Sequence, residues 1–227
     1  MATTGYVADL LRTYIDEPDQ TFVDASRLTK FLQVGYQEFR YQVMQVDPNV
    51  FATTVSYDLT NATQIDLANT NPTGAGTPIM GSTATEGSQL EMLVCVYKQD
   101  TTGAIPTLIY NQTQSLESLQ STDASFFFTD QIIMFPYRVS GTIKVVYVPS
   151  ANVDWSVAAG FIDNLGLFHD LIALYSYKQY SIMDAAENAP LISQLNKREQ
   201  EMRYHLNSRS TGGANYVQDV SSNRYWT

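Results

Sequence analysis

Reactive side chains are scarce in this sequence: 227 residues contain one cysteine and two histidines. Cys95 stands alone in the apolar run LVCVY, so no intramolecular disulfide can form, and a buried core thiol is expected. His169 and His205 have no second His, Cys or carboxylate set at metal-ligand spacing. His169-Asp170 is the only adjacent pair that hints at catalysis, and beside a stripe of Leu and Phe it reads as packing. Gly74-Ala75-Gly76-Thr77 lacks the Gly-Lys-Ser/Thr ending of a phosphate loop. Nothing assembles a nucleophile, a base and an orienting group, so the expectation is a protein that is not an enzyme and holds no metal or cofactor.

Charge is sparse as well. Only 16% of the residues are charged, with 23 acidic against 13 basic, for a net charge of −10. That balance argues against gripping nucleic acid through its phosphates. An acidic surface repels DNA, which suits a conduit better than a clamp. No apolar run approaches the ~20 residues needed to span a bilayer, so no membrane partner is expected. MATTGYVADLL has no basic stretch ahead of a long apolar one, so no signal peptide is expected and synthesis in a reducing cytoplasm fits.

What the chain has is apolar and aromatic: hydrophobic residues make up 44%, and 15 are Tyr. Such Tyr content fits either interface surface or simply Tyr-rich strands. Between Asp24 and Val46, Leu28, Phe31, Leu32, Gly35, Phe39, Val43 and Val46 recur at three- and four-residue steps. That spacing lines them along one face of a helix roughly 35 Å long. Asp24 or Ser26 caps its start and Asp47-Pro48 ends it. Gly35 costs about 1 kcal/mol against Ala in a helix interior, which points to close contact with another helix. A shorter helix precedes it, starting at Thr3 or Thr4, with Tyr6, Val7, Leu10, Leu11, Tyr14 and Ile15 as its stripe. The two form a helical hairpin.

After Pro48 the period changes from 3.6 to 2. Strands are predicted at Thr53–Leu59 with Ile65 and Leu67 after an Asn61-Ala62 turn, then at Leu90–Tyr97, Thr107–Tyr110, Ser125–Phe135 and Thr142–Val148. A helical turn is predicted at Ser115–Leu119. Helix returns after Val153, first in a segment with apolar residues on most of its circumference (Phe161 to Ile182). A second helix follows from Asn188-Ala189-Pro190, with Leu191, Leu195, Met202 and Leu206 as its stripe. Neither pair of helices can bury its stripes alone. The expected fold is therefore α+β: a four-helix bundle built from both chain ends (1–50 and 153–209), with an inserted antiparallel β domain (51–152) and an extended C-terminal tail (210–227).

Two segments argue for binding. Residues 68–88, rich in Gly, Pro and Thr, read as a flexible arm of the β domain. Beyond a Ser/Gly linker at Ser208–Ala214, Tyr216, Val217, Val220, Arg224, Tyr225 and Trp226 load large apolar groups onto an otherwise polar terminus. That is what strand addition or groove docking onto a neighbour requires.

The phrase YIDEPDQTFVDASRLTKFLQVGYQEFRYQVMQVDPNVF, within the first 50 or so residues, resembles the head–tail adaptor (head-completion or connector) proteins of tailed bacteriophages. The later helices and the tail agree with that family in layout only. The resemblance implies a structural virion protein at the capsid vertex or neck. It would form a homo-oligomeric ring, usually a dodecamer, below the portal protein and join it to a tail nozzle or tail-tube protein, with DNA passing through without specific binding. It implies ring packing through Gly35, Phe39 and Phe168, and portal docking by the C-terminal residues named above. A tail-tube or nozzle component and a neck gatekeeper are neighbouring readings. A ligand-binding β module on a helical stalk is the reading from a different class, and a hydrolase is the remote one.

Overall fold

The computed structural model describes residues 3–16, 23–68, 79, 89–99, 106–119, 124–151, 153–184 and 189–222, of which Asp184 and 210–222 are described by backbone alone. The chain divides into two units, one from residues 1–50 with 153–227 and one from 51–152.

In the first unit, helix α1 (Thr4–Tyr14) starts where the extended Thr3 turns its hydroxyl oxygen onto the Tyr6 N–H. Helix α2 (Ala25–Val46) is capped by Asp24, whose Oδ1 accepts from the Arg27 N–H at 2.8 Å. Of the two cap candidates, the carboxylate serves because it sits one residue before the first helical turn. A 3-10 turn at Pro48–Val50 follows α2, and α1 and α2 hardly touch each other, so they do not pack as the expected hairpin. Helices α3 (Asp170–Asp184) and α4 (Ala189–Ser222) follow the second unit in sequence.

The second unit is one sheet of five strands: β1 (Thr53–Asp66), β2 (Leu90–Gln99), β3 (Pro106–Thr113), β4 (Ser125–Thr129) and β5 (Ile132–Pro149). Their order is β1-β5-β2-β3-β4, and β4 returns to pair with β5, which closes four of them into a barrel with β1 as the extra strand. The length of β5 allows this. Its first residues, Ile132 to Met134, pair with β4 on one side and β1 on the other, and from Thr142 onward it pairs with β1 and β2. The interior is filled by Tyr57, Leu59, Ile65, Val96, Tyr110, Phe126, Ile133, Phe135, Ile143, Val145 and others.

These findings correct the expected four-helix bundle with an inserted antiparallel domain and an extended tail. In a four-helix bundle each helix buries one stripe. Here every residue of α3 from Leu171 to Tyr177 is buried, because α3 packs against α1, α2 and α4 alike. The helices, of 11, 22, 15 and 34 residues, gather around that hub. The β unit is a closed barrel, and β3 and β4 run parallel, Asn111–Thr113 beside Ser125–Phe127. The backbone of α4 is helical through Ser222, across both the expected linker and most of the expected extended tail.

Smaller differences have local causes. The predicted strand Ser125–Phe135 is a hairpin, turned at Asp130 and Gln131, both at positive φ (45° and 72°), which is the twist a two-residue hairpin needs. The expected turn at Asn61-Ala62 is a bulge within β1, with Asn61 at φ 54° and its N–H on Ser140 Oγ at 2.8 Å. Phe161 to Leu165 are not helical; a 3-10 turn at Gly166–Phe168 leads into α3. The flexible arm at 68–88 lies outside the described residues except Ala68 and Ile79. Ile79 is 1% exposed, its N–H bonded to Leu67 O and its C=O to the Leu90 N–H, so that stretch does supply a core residue.

Candidate functional site

Most of the buried polar residues among those described belong to the helical unit. Asp163 precedes α3 and accepts two bonds on one oxygen: the Leu165 N–H at 2.7 Å and His169 Nε2 at 2.7 Å. A carboxylate oxygen can only accept, so His169 carries its proton on Nε2. The ring packs edge-on to Phe39, and with 1% of its surface exposed it is closed to any substrate. Its Nδ1 has no hydrogen-bond partner among the described residues. Tyr36 stacks along Phe39 and lies edge-on to Trp155, with the Arg40 guanidinium 5.8 Å from its ring centre. Burial, and then the Asp163 carboxylate, push the Tyr36 phenol up, while Arg40 pulls the other way.

The residue beside His169 has a separate partner. Asp170 receives both arms of Arg198, Nε at 2.6 Å and Nη2 at 2.9 Å, in the bidentate fork that only a guanidinium makes. Nη2 also donates to Leu167 O, Nη1 donates to Glu201, and the guanidinium lies over the Phe168 ring at 5.3 Å. Asp170 is the main cause that holds the Arg198 proton on. His169-Asp170 is thus no catalytic pair: each partner is bonded to a different residue. A second clamp joins three helices. Arg203 donates to Glu199 and to Gln42, Gln42 donates to Glu38, and the Tyr175 hydroxyl donates to Glu199 at 3.1 Å. Burial, then the Glu199 charge, push the Tyr175 phenol up.

The residues read as ring packing are placed in the chain's own interior. A Cβ on Gly35 would strike Ser176 Oγ, Ile172 O at 2.7 Å and Ser176 N at 2.8 Å, so Gly35 is where α2 crosses α3. Phe39 and Phe168 are both buried, the latter 5.4 Å from the His205 ring. For the docking tail, the backbone at Tyr216, Val217 and Val220 belongs to α4 and their side chains lie outside the described residues, as do Arg224, Tyr225 and Trp226 entirely. Cys95 is half-buried on β2 and not a core thiol, and burial pushes its thiol up.

Sequence reading missed Arg198, Arg203 and Asp163. The first two bond Asp170 and Gln42 across helices, which leaves no local spacing to find. Among the described residues no group of three or more His, Cys, Asp or Glu could hold a metal, and no helix is long and apolar enough to cross a membrane. No protein-family model matches the sequence, and no curated protein matches it.

Proposed function

We propose that the chain is a structural virion protein, a head–tail adaptor that forms a ring below the portal, joins capsid to tail and leaves a channel for DNA. The observation that carries this reading is the pair of capped helices at the start of the chain, whose residues resemble that family. The second of these helices is built for contact, with Gly35 leaving room for α3. The net charge of −10 is consistent with a wall along which DNA slides without sticking. The C-terminal residues Tyr216 to Trp226 would reach the portal, and the opposite face would meet a nozzle or tail-tube protein. The reading as a ligand-binding β module has less to rest on, since side chains such as Tyr57, Phe126 and Phe135 fill the barrel where a ligand would sit.

The test mixes purified chain with portal particles of the phage that encodes it, using the full chain and a chain ending at Ser210, read by sedimentation and electron cryomicroscopy. The full chain is expected to add a ring and the shortened one to add none. Equal binding by both removes the tail from the proposal. No binding by either overturns the adaptor reading.

A further inference from the structure

We draw no further inference here: the strongest candidate, the surface cleft at the end of α1 lined by Asp9, Arg12, Thr13 and Asp16, brings together charges of both signs, and nothing in the structure shows what fills or covers it.

Discussion

The two units of this chain are held together in different ways. Of the buried polar residues among those described, Thr4, Arg40, Asp163, His169, Ser176 and Ser181 belong to the helical unit and Ser125 to the β unit. The ion pairs of Arg198 and Arg203 likewise lie in the helical unit. The barrel has its register fixed by a ladder that closes on itself, and aliphatic and aromatic side chains, Tyr57, Tyr110 and Tyr147 among them, fill it. Helices have no such ladder between them. Their relative positions are set by packing at Gly35 and by forked charges such as Arg198 on Asp170, whose geometry admits one arrangement.

The sharpest way to test this difference is to empty each core in turn. Phe39→Ala is expected to cost about 3–5 kcal/mol and to loosen the helical amides first, and Phe126→Ala to do the same to the strands. Hydrogen exchange followed by mass spectrometry reads both. Equal loosening of both units by either change would mean that they unfold as one. A smaller effect separates them by charge. Arg198→Ala is expected to cost about 1 kcal/mol, since the pair is partly exposed and screened. Arg198→Lys should recover little of it because an ammonium cannot fork. Urea unfolding at low and high salt measures the loss, which should shrink with salt.

The least effect at neutral pH is the one the units share. Burial raises the phenols of Tyr36 and Tyr175 in one unit and of Tyr57 and Tyr110 in the other above the ordinary value of 10.0. The fold therefore holds those protons more tightly than the unfolded chain does. The stability they contribute is complete below pH 10 and is lost as pH rises above it. Tyr57→Phe and Tyr110→Phe should flatten the alkaline fall of the barrel transition and leave that of the helices in place, as thermal melts from pH 7 to 11 would show.

Much of the local structure was legible because it depends on neighbours in sequence. The Asp24 cap, the stripe from Leu28 to Val43 and the change of period after Pro48 are each a matter of a few residues. Barrel closure was not legible, since it depends on one strand, β5, pairing with three others, one of them some eighty residues earlier. The hub role of α3 was visible as apolar residues all round, but the same pattern was extended wrongly back to Phe161. At the candidate site, His169 was read as packing, which its burial explains. Asp163 was invisible because a lone Asp six residues upstream of a His carries no motif.

Gly35 also bears on the order of events during synthesis. Its partner surface, Ile172 to Ser176, lies on α3, some ~120 residues after the end of α2. At translation speeds of about 5–20 residues per second, Leu32, Phe39 and Val43 wait roughly 6–25 s on the ribosome before anything covers them. Throughout that interval the whole of the barrel sequence emerges while the apolar stripe of α2 stays uncovered.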